Sequence, residues 1–167
     1  MSLTESFNVG ARIRGRHALA NVAITQTSAA AATTQDGNSI DRNASGLRRY
    51  YSCKAIVSAA LTGATSSVTA SITLNFQHSS DGTSWENYST ATVPTAVVWG
   101  ATSSGYAGGT TAGTEYGTIE QSVNLNGARR YVRIQVGAPT YPTCSSGTFL
   151  TGHGVLVFGG ADELPAQ

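Results

Sequence analysis

Lysine is nearly missing from this chain, with Lys54 the sole example, and charged residues of both signs make up only 11% of its 167 residues. Surface helices are usually solvated by Glu and Lys. A chain this poor in both must build its polar surface from Ser, Thr, Asn, Gln and Gly, the residues of strands and turns. The formal net charge of +1 argues against a dedicated nucleic-acid binder, which carries a basic face. It also supplies little repulsion between copies. Cys53 and Cys144 are the only cysteines, too few for a disulfide scaffold and without a second pair to complete a CxxC metal site. Buried free thiols are expected; a bridge between the two stays open, because it depends on a Cα approach that spacing does not fix. No apolar run approaches the ~18 residues that span a bilayer. The opening MSLTESFNVG has no apolar core of a signal peptide, so no membrane partner and synthesis in a cytoplasm are the expectation.

Signatures of chemistry are also missing. The glycines between positions 105 and 113 spell neither GxGxxG nor a P-loop, and there is no GxSxG elbow and no HExxH. His17, His78 and His153 are far apart and lack metal-ligand spacing. Asp81 belongs to a turn, Glu86 and Glu115 flank strands, and Glu120 faces outward, so local spacing sets up no acid/base pair. The sequence therefore points away from an enzyme and calls for no cofactor and no metal.

What is present is alternation. Val68, Ala70, Ile72, Leu74 and Phe76 take one face of a strand and Thr69, Ser71, Thr73, Asn75 and Gln77 the other, the period of a half-buried strand. Ser79-Ser80-Asp81-Gly82 reverses the chain, since Asp and Ser bond their local backbone and Gly accepts positive φ. Trp85 and Tyr88 follow on the returning strand, which runs to Val93, with Trp85 expected in the core. Further strands are predicted over 18–25, anchored by Leu19, and over 47–61, with Tyr51, Cys53, Ala55, Val57 and Ala59 on one face. Ile56 lies on the other face of that strand, as in a strand covered in part on both sides. Residues 95–99, 115–125 and 148–158 complete the set with 128–136, where Val132, Ile134 and Val136 point inward. Asn126-Gly127 predicts a hairpin between 115–125 and 128–136, and 138–147 reads as a connection. About eight strands without an amphipathic helix predict an all-β fold, an antiparallel β-sandwich of jelly-roll-like form.

Three segments fall outside this pattern. Residues 1–17, with Arg12, Arg14 and Arg16, read as an extended N-terminal arm, a frayed terminus being the alternative. Residues 18–160 form the sandwich domain, and 161–167 a C-terminal tail. Gly100 to Gly117 is a glycine-rich loop of a length usually kept for function, and Trp99, Tyr106 and Tyr116 around it are interface candidates. Arg–Tyr clusters at 48–51 and 129–133 suit single-strand binders. The more ordinary reading is Arg lying along aromatic surface and pairing with a carboxylate.

Three stretches also carry a resemblance: QHSSDGTSWENY (Gln77 to Tyr88), ARRYVRIQV (Ala128 to Val136) and GGADELPA (Gly159 to Ala166). Together they resemble small virion structural proteins of tailed bacteriophages, among them head decoration, or cement, proteins with a jelly-roll-like fold. The resemblance implies a homotrimer on the outer surface of the virion head, bridging subunits of the major capsid protein. Its competitor is a carbohydrate- or receptor-binding module of a tail or fibre.

Overall fold

A computed structural model describes residues 13–26, 34–44, 46–47, 50–64, 69–88, 95–99, 113–137, 140–143 and 148–161. They form eleven strands, eight of them four residues or longer, and no helix. The strands are β1 (Arg14–Gln26), β2 (Gln35–Asp36), β3 (Ile40–Asp41), β4 (Tyr50–Ala64), β5 (Thr69–Ser79), β6 (Glu86–Asn87), β7 (Thr95–Trp99), β8 (Gly113–Asn124), β9 (Tyr131–Val136), β10 (Thr140–Thr143) and β11 (Thr148–Ala161). One sheet has four strands in the order β1-β11-β4-β8; the other has seven, built on β10-β5-β9-β2 with β3, β6 and β7 alongside. Every pairing is antiparallel. This is the antiparallel sandwich that the alternation predicts.

The core lies between the sheets. Cys53, Ala55, Val57, Ile119, Val123, Leu156 and Phe158 line the four-stranded side, and Leu74, Phe76, Val132, Ile134 and Val136 the seven-stranded side, all buried. β5 is the central strand of its sheet, pairing with β6 and β7 on one edge and with β9 and β10 on the other. The turn after it forms as its residues dictate. Asp81 Oδ1 accepts from Thr83 N and Ser84 N, both at 2.8 Å, Ser79 Oγ accepts from Gly82 N at 2.9 Å, and Gly82 has φ +79°. His78, at the inner end of β5, is held by Glu86 at 2.8 Å and packs on Tyr88, ring to ring at 4.8 Å. It is the hydrogen-bonded histidine of a core edge.

Several expectations give way. β8 does not pair with β9: β8 belongs to the four-stranded sheet beside β4, and β9 to the other sheet beside β5. Asn126-Gly127 therefore carries the chain from one sheet to the other. The turn itself is made, with Ala128 N donating to Leu125 O at 2.9 Å and Gly127 at φ +97°. It is pinned from outside by Tyr88, whose hydroxyl donates to Asn126 O at 2.9 Å, and by buried Arg42, which donates to Ala128 O at 2.7 Å. Among the described residues the return after the Asp81 turn is a strand at Glu86–Asn87; the rest of the strand expected to Val93, residues 89–93, lies outside the described residues. Thr140–Thr143 is a strand paired with β5, not part of a connection. The first strand starts at Arg14, inside the expected arm, because β1 pairs with β11 from Arg14↔Phe158 onward. Tyr51 is exposed and Tyr50 buried. There the segment Ile40 to Leu47 covers the strand end, with Tyr50 N donating to Leu47 O at 3.1 Å, and Tyr50 packs edge-on against Phe158 at 6.4 Å.

Asp41 ties that covering segment down, accepting from Asn43 N at 2.9 Å and from Arg130 Nη2 at 2.7 Å. The Arg130 guanidinium, with two backbone N–H groups, holds the Asp41 carboxyl at about 2, and backbone N–H groups push Asp81 lower still. A carboxyl with a depressed folded-state pKa adds stability above its unfolded value of ~3.9, and that stability is lost as pH falls toward the folded value. The melting temperature is thus expected to decline between about pH 4 and pH 2, and Asp41→Asn should flatten that decline. Thermal melts across that range check it.

Candidate assembly face

The two outer faces of the sandwich differ in kind. On the seven-stranded sheet the outward side chains satisfy one another. Arg133 pairs with Asp36 at 3.0 Å, donates to Gln77 Oε1 at 2.8 Å, and lies over the Trp85 ring at 4.3 Å. Gln77 donates on to Asn87 at 3.1 Å, and Gln135 donates to Asp36 at 2.7 Å. Beside them Arg129 meets Glu86 at 2.6 Å and Arg130 lies 4.9 Å from the Tyr131 ring centre. The arginines of 129–133 thus stack on aromatic surface and pair with carboxylates, and need no ligand to explain them. Trp85 is half-buried under Arg133 rather than in the core, because it follows the Asp81 turn outside the ladder.

The four-stranded sheet presents the opposite character. Pairing sets Val155 beside Ile56 and Ile56 beside Glu120, Val157 beside Lys54 and Lys54 beside Ser122, and Gly159 beside Ser52. Apart from Lys54 and Glu120 these outward side chains are small or apolar, and Val155, Ile13 and Tyr51 are exposed at 40%, 43% and 43%. Lys54 and Glu120 lie diagonally across the β4–β8 pair and meet at 2.5 Å, so the face carries little net charge. Tyr51, Ser52, Lys54, Ser122, Asn124 and Gly159 line a shallow depression of about 660 Å³ in it. Cores of protein interfaces are depleted of charge, and a partner on this face would have few charged groups to desolvate. Cys53 lies beneath, a free thiol that burial pushes up to about 12.

The residues singled out from sequence do not converge. Arg14 and Arg16 lie on β1 and Tyr116, 77% exposed, on β8, the two opposite edges of the four-stranded sheet. Arg14 shares a row with Val123, across Phe158 and Cys53. Tyr116 is therefore roughly 24 Å along the strands and about 14 Å across them from Arg14. Trp99 ends β7, and its side chain, like Arg12 and Tyr106, lies outside the described residues, as do Cys144 and residues 162–167. Among the described residues no cluster of three or more His, Cys, Asp or Glu could hold a metal. The low-charge face was not singled out, although its signal stood in the sequence: Ile56 and Val155 are apolar residues at outward positions.

No family model matches the chain, and no curated protein does. Among solved structures the chain is similar to one from the native virion of Kashmir bee virus at acidic pH, with 11% identity and a TM-score of 0.41 over 99% of this chain and 81% of that one. A chain of Desmodium yellow mottle tymovirus follows with 10% identity and a TM-score of 0.33 over 93% and 85%. Another, of infectious bursal disease virus Gx strain, has 13% identity and a TM-score of 0.29 over 88% and 40%.

Proposed function

We propose that this chain is a structural virion protein that binds the outer surface of a bacteriophage head as a decoration, or cement, protein and bridges major-capsid subunits. The observation that carries the reading is the contrast between its faces. One is closed by its own hydrogen bonds and ion pairs, and the other, on the four-stranded sheet, offers small and apolar side chains with a single internal ion pair. The resemblance of Gln77 to Tyr88, Ala128 to Val136 and Gly159 to Ala166 to phage virion proteins supports the same reading, and implies a homotrimer. Its partners are the major capsid protein and further copies of itself; no nucleic acid, membrane or cofactor is called for.

A carbohydrate-binding module of a tail or fibre is the second reading, favoured by the 77% exposure of Tyr116 as a stacking surface. Purified protein mixed with capsids lacking it, and separately with host glycans, distinguishes the two. The expected result is saturable attachment to capsids, weakened at least about tenfold by Val155→Lys, which sets a charge in the buried contact. Attachment to glycans alone, lost on Tyr116→Ala, supports the second reading and overturns the first.

A further inference from the structure

The four-stranded sheet ends in two edges that are treated differently. Exposed edges invite pairing with another chain, and proteins blunt them with bulges, charges turned toward the core side, or covering segments. β1 has all three. Its register with β11 slips between His17 and Leu19 and again between Leu19 and Val22. Arg14 and Arg16 stand opposite the core residues Phe158 and Leu156, hence on the core side of the edge. Asn38 N donates to Ala18 O at 2.6 Å, covering the strand's middle.

Among the described residues β8 is guarded less: its register shifts only beyond Thr114, Glu115 is its one charge at a core-side register position, and β7 packs close to it without a strand pairing. It pairs with β4 from Asn124 to Thr114 without a bulge, and it contains no Pro and no Lys. Its hydrogen-bond parity follows from one bond. Leu125 N donates to Tyr51 O at 2.7 Å, in register with the β4–β8 ladder. Odd-numbered residues of β8 therefore bond to β4, and Thr118, Glu120 and Ser122 turn their N–H and C=O groups to the other side. Among the described residues no strand pairs with β8 on that side, and β7 of the neighbouring sheet is not hydrogen-bonded to it.

We infer that this edge joins two copies of the chain, β8 running antiparallel to β8 of a second copy about a two-fold axis at Ile119. A strand whose edge groups are open can always complete its own ladder in this way, because an antiparallel two-fold contact is self-complementary. The register at Ile119 sets Thr118 opposite Glu120 and Tyr116 opposite Ser122, on both sides of the axis. A register at Glu120 would place two carboxylates against each other, which is unfavourable. The net charge of +1 opposes the approach very little. The product is one eight-stranded sheet whose outer face continues across the seam. The inference stands apart from the capsid reading, and it leaves any three-fold contact made elsewhere untouched.

The test is the mass of the full chain in solution by size exclusion with light scattering. Ser122→Pro removes an N–H aimed at the seam and no bond of the β4 ladder, a position where an edge strand tolerates proline. It should halve the mass while Ser122→Ala keeps it. Should Ser122→Pro not fold, as circular dichroism would show, a charge pair gives the same information. Thr118→Glu faces Glu120 of the second copy and should weaken association several-fold, whereas Thr118→Lys should strengthen it. A wild-type chain with the mass of Ser122→Pro, or Thr118 variants that associate equally well, would overturn the inference. So would a folded Ser122→Pro that keeps its mass but no longer attaches to capsids, since the edge would then serve another protein.

Discussion

Gly37→Val is expected to leave little folded protein. Gly37 lies where the sandwich closes, since its N–H donates to Ile134 O of β9 at 2.8 Å while the next residue donates to Ala18 O of β1 at 2.6 Å. A Cβ there would meet Ile134 O at 2.7 Å and would press still closer on Ala18 O. Both atoms are backbone in strand ladders, so neither can rotate away as a side-chain end would. Overpacking alone costs about 1–3 kcal/mol, and losing the two hydrogen bonds adds roughly 0.5–1.5 kcal/mol each. Against a total stability of about 5–15 kcal/mol, that sum removes a large share. Gly15 is the control, because a Cβ there meets nothing within 4 Å. Urea denaturation should show Gly37→Val strongly shifted and Gly15→Ala close to wild type; equal midpoints would mean that this closure does not hold the sheets together.

Ile134→Ala carries the second large effect. The side chain is fully buried on β9, and Gly154 of β11 makes room for it: a Cβ on Gly154 would meet Ile134 Cδ1 at 2.5 Å and Leu19 Cβ at 2.9 Å. Here the side chain of one sheet fills the space a missing Cβ leaves in the other. Truncation leaves a cavity between layers that hydrogen bonding holds apart, so the expected loss is roughly 2–5 kcal/mol. Ser122→Ala, on an exposed position, should stay within about 0.5 kcal/mol. If both cost the same, the inward register of β9 is misassigned.

Alternation made the strands legible because it is local. In β9 the buried residues are Val132, Ile134 and Val136, and in β5 they include Leu74 and Phe76, as their period-two spacing requires. The partner of each strand was not legible. Ile119, Val123 and Leu125 face the core in the same rhythm as β9, and Asn126-Gly127 supplies the same reversal for a hairpin as for a passage between sheets. What decides between them is the pairing of β8 with β4, roughly fifty to seventy residues away, and no local signal carries that. Arg42 was missed for a related reason: a buried arginine makes sense only once Tyr50, Ala128 and Arg129 converge on it with their carbonyls. The candidate site was harder still. Aromatic and basic residues drew notice as groups that could dock, while the face of low net charge is made largely of Ser, Gly, Val and Ile around one Lys54–Glu120 pair, residues that draw none individually.

Counting copies of this chain per virion, against the major capsid subunit and together with its position in the particle, tests the functional account most directly. The account predicts a fixed small-integer ratio to the capsid subunit, with the chain on the outer head surface and the four-stranded sheet turned toward the capsid. A few copies confined to the tail, or a chain that meets the capsid through the Arg133–Asp36 face instead, would contradict it.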